Sequence, residues 1–452
     1  MIDGSDAITL LTEMIQNACV NTGDPASGGE IRSVRTIQRH LGQTGVVIEP
    51  LPGRASVVYR HEGSDPNAPT ILMIPHLDVV PASADGWTHN PYAATQADGF
   101  IWGRGAVDML NITAAMVVVF KALRDGDLRP IPSDIILAAV ADEEAGGVHG
   151  ARHLVEDHWP LIACDHVLTE VAGPMIGPVD TRALPVTVAE KGPAWRRLAT
   201  RGTPGHGSQP YARTNAVVAL SDAIHRIATH DQPILITDEW RRFVPHLPIT
   251  PELAERLLDG DTVDAAIAEI GDEDPILARW IHACTHLTLS PNVVTGGSKV
   301  NTIPDTAELG LDARLLPGQA TTDVEEHLRK VLGPDLFDQI SVEPIQEMPA
   351  NGSPPEGLMW DAIGDAAERH TGSRALAPTL TPVSTDARFF RARGIPAYGV
   401  GLFDDSLSFP DMLGMFHGVD ERISPASVVA STQFLATVVD AYGQRLIEGR
   451  FA

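Results

Sequence analysis

The chain reads as an α/β fold: a larger domain with a mostly parallel central sheet flanked by helices, interrupted by an inserted α+β domain made of a small sheet with two helices. Three observations predict this. Short apolar runs alternate with helical patterns, as βα units do. The runs are apolar nearly throughout, as strands buried on both faces are. The texture changes near 185 and changes back near 348. At 452 residues the chain also exceeds one ordinary core, so two domains are the default.

The elements follow in order. M-I-D-G-S-D-A-I-T-L-L-T-E-M-I predicts an acidic, amphipathic first helix and lacks the basic and apolar regions of a secretory leader. T-I-L-M-I-P (70–75) predicts a strand, I-T-A-A-M-V-V-V-F-K-A-L (112–123) a helix, and D-I-I-L-A-A-V-A (134–141) a strand. A helix with small residues follows over about 147–157, then the strand D-H-V-L-T-E (165–170). From about Pro185, V-T-V-A-E-K-G-P-A-W-R-R-L-A-T-R alternates like one half-exposed strand, and T-N-A-V-V-A-L-S-D-A-I-H-R-I continues as an amphipathic helix. A-E-L-G-L-D-A-R-L-L (307–316), the helix T-T-D-V-E-E-H-L-R-K-V-L and the strand Q-I-S-V-E-P-I complete the small sheet. Positions 231–289 read as a helical elaboration of the insert. A helix near 356–371, the strand I-P-A-Y-G-V-G (395–401) and a closing helix near 425–447 return to the first texture. The predicted domains are 1–185 with 348–452, and 186–347.

Composition excludes several classes of function. Lys and Arg number 33 against 59 Asp and Glu, a net charge of −26 that repels phosphate backbones and anionic surfaces, so nucleic acid is not an expected partner. No run of about 18 apolar residues suggests a membrane span. The cysteines Cys19, Cys164 and Cys284 are odd in number and in no ligand spacing, and read as buried apolar residues of a reducing, cytoplasmic compartment.

Chemistry gathers where strands end. His76 and Asp78 follow I-L-M-I-P, Asp142, Glu143 and Glu144 follow I-I-L-A-A-V-A, and Glu170 follows H-V-L-T; Asp108 closes W-G-R-G-A-V-D (102–108) just before a helix. In open α/β sheets the carboxyl ends of the strands border the ligand crevice. Carboxylates crowded there repel one another unless cations sit among them. Imidazole with carboxylates suits zinc or a similar divalent ion, and a second imidazole, His417 in M-F-H-G-V-D, makes room for two ions sharing a carboxylate. Gly103 and Gly105 read as a tight turn and not a phosphate loop, because Asp108 stands where a third Gly would be.

Taken together, H-L-D (76–78), G-R-G-A-V-D (103–108), D-E-E (142–144), Glu170, G-H-G-S (205–208) and H-G-V-D-E (417–421) resemble the M20 metallopeptidases, the aminoacylase, carboxypeptidase and succinyl-diaminopimelate desuccinylase superfamily. The insert and S-T-D-A-R-F-F (384–390) look most like the carboxypeptidase S and N-acyl amino acid hydrolase branch. The resemblance implies a catalytic domain with an inserted lid, and two divalent ions, Zn2+ with Co2+ or Mn2+ as alternatives. One ion would be held by His76, Asp108 and Glu170, the other by Asp108, Glu144 and His417. Asp78 matches the carboxylate that orients the ligand imidazole, and Glu143 the general base. His206 matches a histidine that stabilises the oxyanion, and Asn301 and Arg314 match positions that bind the substrate's terminal carboxylate. Many relatives place Lys just after the bridging Asp; here D-M-L-N stands there.

The implied reaction is hydrolysis of an amide beside an amino acid, on an N-acyl amino acid or short peptide, with a homodimer through the lid as the implied assembly. Read as residues alone, His206 also suits a structural turn, Asn301 a turn residue, and Arg314 an ion pair with Asp312 or Glu308. A silent descendant that only binds a peptide or metabolite is the rival, and it has no use for Glu143. A serine hydrolase would need G-x-S-x-G, which the chain lacks.

Overall fold

The structure, a computed structural model, describes residues 2–178 and 181–449. Ile71 and Met73 face one core while Leu72 and Ile74 face another; Ile135, Leu137 and Ala139 divide from Ile136, Ala138 and Val140 in the same way. Successive side chains of a strand point to opposite faces, so a strand apolar at every position must be covered twice. Helices Ser5–Asn17, Leu110–Asp125, Leu358–Thr371 and Pro425–Glu448 form one cover. The shorter Ala151–Asp157 and Ala387–Arg391 form the other.

The large sheet runs Val46–Leu51, Arg54–His61, Ile135–Ala139, Ile71–Met73, His166–Thr169, Ala397–Gly399, Leu184–Glu190, with Asn351–Gly352 and Leu376–Thr381 both paired to Leu184–Glu190. Its four middle strands are parallel. The Val46–Leu51 and Arg54–His61 hairpin runs antiparallel within itself and to Ile135–Ala139, and Leu184–Glu190 is antiparallel to Ala397–Gly399 and Asn351–Gly352 but parallel to Leu376–Thr381, so the sheet is mixed. A second, antiparallel sheet contains Thr288–Gly296, Thr306–Leu315, Gly192–Arg201 and Ile340–Glu347. Helices Ala216–Thr229 and Thr321–Phe337 cover one face of it through Leu220, Ile227, Leu328 and Leu332.

Two expectations are corrected. The stretch from Pro185 is two strands in two sheets: Leu184–Glu190 is buried throughout in the large sheet, and only Gly192–Arg201 joins the small one. The helices of 231–289 also pack elsewhere than expected. Trp240, Phe243, Trp280 and Ile281 belong to the core of the large sheet and not to the core of the insert. Both features meet at Lys191, buried at the crossing, whose ammonium donates to the carbonyls of Ala283 (3.0 Å) and His286 (2.6 Å) at the end of helix Pro275–Thr285. A cation there complements the helix C-terminus. Cys19 and Cys284 are buried and Cys164 is half-buried, all three free. No described helix is long and apolar enough to cross a membrane.

Candidate metal centre

Each ligand type is delivered by the end of an apolar element. His76 lies three residues past strand Ile71–Met73, Glu170 follows His166–Thr169 directly, and Glu143 opens a single tight turn, Glu143–Ala145, beyond Ile135–Ala139. Asp108 precedes helix Leu110–Asp125, and His417 follows helix Phe409–Met415. His76 Nε2 lies 3.3 Å from Asp108 Oδ1 and 3.5 Å from Glu170 Oε2. His417 Nε2 lies 3.5 Å from Asp108 Oδ2 and 3.1 Å from Glu144 Oε2. The two oxygens of Asp108 therefore face different imidazoles. Candidate ligand atoms of His76, Glu143 and Glu170, and likewise of His76, Asp108 and Glu144, lie within 4.8 Å of one another.

The supports of these residues were only partly legible. Glu421, fully buried, accepts the backbone N–H groups of Gly105 (3.0 Å), Val107 (2.7 Å) and Asp108 (2.9 Å) and pairs with Arg104 at 2.8 Å, fixing the loop that presents Asp108. Gly105 is required there: its φ is +89°, and a Cβ would fall 2.6 Å from Leu110. The Asp78 carboxylate lies 3.6 Å from His76 Nδ1, which also meets the main-chain oxygen of Asp78 at 3.0 Å. That carboxylate further accepts the N–H groups of Glu143 (3.2 Å) and Glu144 (3.1 Å) and the Asn21 amide (2.8 Å), so it shapes the turn carrying both glutamates. Arg54, buried, ties the same turn to the N-terminal segment through Asp142 (3.2 Å) and Glu30 (2.8 Å). Asn21, Glu30 and Arg54 carried no local signal, because each acts across a long sequence separation.

The electrostatics show a cluster short of positive charge. Burial, with neighbouring Glu170, pushes the Glu143 carboxyl well above the usual range; burial and Asp108 push Glu144 to about 7. Burial also raises Glu170, and raises Asp386 to about 8. For His76 burial works downward, but Asp108 and Glu170 outweigh it and hold the imidazole well above its ordinary value. Hydrogen bonds to Asp108 and Glu144 lift His417 to about 10. Burial would raise Asp108, and the two imidazoles reverse this and lower it. The cluster thus balances its carboxylates by holding protons, which a bound cation displaces. Glu144 Oε1 and both oxygens of Asp386 are buried without a hydrogen-bond partner among the described residues. Mixed imidazole and carboxylate donors with an orphaned buried oxygen fit a divalent ion.

Arg314 binds its neighbour Asp312 through Nε (3.1 Å) and Nη2 (3.2 Å), and Nη1 reaches the Pro382 carbonyl at 3.4 Å. His206 is exposed on the two-residue strand Gly205–His206, which pairs with Thr302–Ile303, and its Nδ1 meets the Ser208 hydroxyl at 2.7 Å. Asn301 is exposed beside it, its carbonyl accepting the Gly207 N–H at 2.7 Å. A cavity of about 430 Å³ borders Asp108 and Glu170, and none of these three residues lines it.

A sheet whose strand ends gather two imidazoles and several buried carboxylates beside a cavity defines a hydrolytic enzyme of the metallopeptidase and aminoacylase class. The chain belongs to peptidase family M20/M25/M40, whose family model matches residues 72–441. It is 28% identical over 402 residues to aminoacylase-1 of Mus musculus, covering 87% of this chain and 86% of that protein. It is 24% identical over 444 residues to the N-fatty-acyl-amino acid synthase/hydrolase PM20D1 of Bos taurus, covering 95% and 85%. The solved M20 family metallo-carboxypeptidase of Sulfolobus solfataricus shares the fold, with a TM-score of 0.71 at 17% identity over 97% of this chain and 99% of that one.

Proposed function

We propose that this chain is a two-metal amidohydrolase that cleaves the amide bond beside an amino acid, in an N-acyl amino acid or a short peptide. The observation that carries the reading is Asp108, whose two carboxylate oxygens face His76 and His417 separately. His76, Asp108 and Glu170 would hold one ion and Asp108, Glu144 and His417 the other, most suitably Zn2+, with Co2+ or Mn2+ as alternatives. Such ions supply Lewis acidity to the amide carbonyl and acidify a water. Glu143 takes the proton of the attacking water and returns it to the leaving amine; the burial that raises its pKa makes it a stronger base than an exposed carboxylate. Asp78 holds Glu143 and Glu144 in register through their backbone N–H groups. The relatives' activities on acylated amino acids support this substrate class.

The purified protein is expected to hydrolyse members of a panel of N-acyl amino acids and dipeptides, and to lose that activity with EDTA. Turnover indifferent to chelation, or inertness to the whole panel with zinc supplied, would remove the reading.

His206 is proposed as the donor that meets the developing oxyanion once the insert has moved, supplied by a second copy of the chain across a lid-mediated dimer. Its exposure, and its absence from the cavity lining, support a donor brought in from elsewhere. Mixing Glu143→Gln with His206→Ala under conditions of subunit exchange should restore about one quarter of wild-type activity, because half the dimers are mixed and each holds one intact site. No recovery despite proven exchange would place the action of His206 within its own chain or nowhere.

A further inference from the structure

The buried run S-T-D-A-R-F-F (384–390) packs against the turn that carries the two glutamates: a Cβ on Gly147, just past that turn, would fall 2.7 Å from Asp386 Oδ1 and 3.1 Å from the Phe389 ring. Arg388, on helix Ala387–Arg391, is buried, and its Nη1 stands 3.8 Å from Glu143 Oε1. The arm is held in place. Nη1 donates to the Thr385 carbonyl at 2.9 Å, and the guanidinium lies over the Phe389 ring, 4.6 Å from its centroid. Its main chain is tied as well, the Arg388 carbonyl accepting the Asn351 amide at 3.1 Å. Other buried arginines have carboxylates of their own: Arg54 pairs with Glu30 and Asp142, Arg104 with Glu421, and Arg391 with Glu190. Among the described residues, the ion-pair partner of Arg388 is Glu143. Arg388 does not line the cavity, so it is placed to act on Glu143 and not on a substrate.

We propose that Arg388 is a positioning residue that holds the Glu143 carboxylate off the ion His76 and Glu170 would bind, leaving Glu143 free to act as a base; this rests on the two-metal reading above. The need for such a restraint is geometric. Glu143 lies within ligand reach of His76 and Glu170, and a carboxylate engaged by a cation no longer offers that lone pair to a proton. A fixed cation on the other side of the carboxylate opposes the collapse. In a buried site its pull is less screened than in water, and a guanidinium keeps its charge there. The adjacent Glu144 has no such partner: its Oε2 meets His417 at 3.1 Å, and its Oε1 is buried without a hydrogen bond among the described residues. The run that holds Arg388 thereby separates the tasks of two neighbouring glutamates.

The test follows metal binding and hydrolysis of N-acetylphenylalanine in the wild type, in Arg388→Met, in Glu143→Gln and in the double variant. In Arg388→Met, kcat should fall roughly 10²-fold with KM within about threefold, as for a reacting group displaced by about 1 Å. Zinc affinity, read by competition with a chelator, should hold or rise. Loss of a merely structural support behind the ligands would instead lower that affinity about 10- to 100-fold. With Co2+ in place of zinc, the visible absorption of Arg388→Met should differ from that of the wild type, because a further carboxylate changes the coordination geometry. The double variant should absorb as Glu143→Gln does. A spectrum of Arg388→Met identical to the wild type, a change that survives Glu143→Gln, or zinc affinity lowered by about 10-fold overturns the proposal. Arg388→Gln, polar and uncharged, takes the place of Arg388→Met if the latter does not fold. If the wild type binds Co2+ yet cleaves no amide, the hydrolase reading falls and the spectra still decide the role of Arg388. A wild-type protein that binds no Co2+ overturns both.

Discussion

Glu143→Gln is expected to keep near-normal metal content and to lose turnover by roughly 10²- to 10⁴-fold, the usual contribution of a positioned general base. Two adjacent glutamates invite the opposite assignment, because the Glu143 carboxylate also lies within ligand reach of His76 and Glu170. Their contacts differ, however. Glu144 Oε2 approaches His417 at 3.1 Å, while Glu143 Oε1 lies 3.8 Å from the Arg388 guanidinium, on the side of the buried S-T-D-A-R-F-F segment. Gln preserves the shape, and the bond from Asp78 to residue 143 runs through the main chain, so the turn survives the change. Glu144→Gln, by contrast, should deplete bound metal. Measuring metal content and kcat/KM on both variants decides the matter: metal lost from Glu143→Gln and retained by Glu144→Gln would exchange the two roles.

Asp108→Asn is expected to deplete both ions at once and to reduce activity by roughly 10³-fold or more, since charge stabilisation by metal is worth several kcal/mol. Removing a partner behind a ligand already costs about 10- to 100-fold in metal affinity, and Asp108 is proposed as a direct ligand of both ions. The backbone N–H of residue 108 still donates to Glu421, so the loop has its anchor without the carboxylate. A folded Asp108→Asn protein that retains one ion at full occupancy would show that the two sites do not share this residue. Thermal unfolding of the variant with and without zinc separates a lost site from a lost fold, because an ion bound only to the native state raises the midpoint.

Much of this was legible because most of the acidic and imidazole candidates follow an apolar strand, and a strand buried on both faces is recognisable from a few residues. His76, Glu143 and Glu170 stand out for that reason, whereas Arg54 and Asn21 do not: they reach Asp142 and Asp78 from distant segments, and no periodicity encodes such a meeting. The run from Pro185 misleads because Leu184–Glu190 and Gly192–Arg201 continue one another with only Lys191 between them, so one apparent strand hides the crossing between sheets. The helices of 231–289 are amphipathic, but amphipathicity does not name the surface they cover, and Trp240 and Trp280 turn out to pack against Phe243 and, for Trp280, Phe409. Asp78 shows a finer point. The spacing H-L-D sets its carboxylate 3.6 Å from His76 Nδ1, whereas the shorter contact from its main-chain oxygen and the carboxylate's bonds to the neighbouring turn have no side-chain pattern to announce them.

That two ions share Asp108 is tested most directly by chelating the wild-type protein and returning zinc stepwise, with bound metal and hydrolysis of an N-acyl amino acid followed on the same sample. Activity that rises to its full value only as a second ion binds per chain is the predicted result, as two-metal hydrolysis requires. Full activity with one bound ion, or hydrolysis that persists after complete chelation, would contradict it.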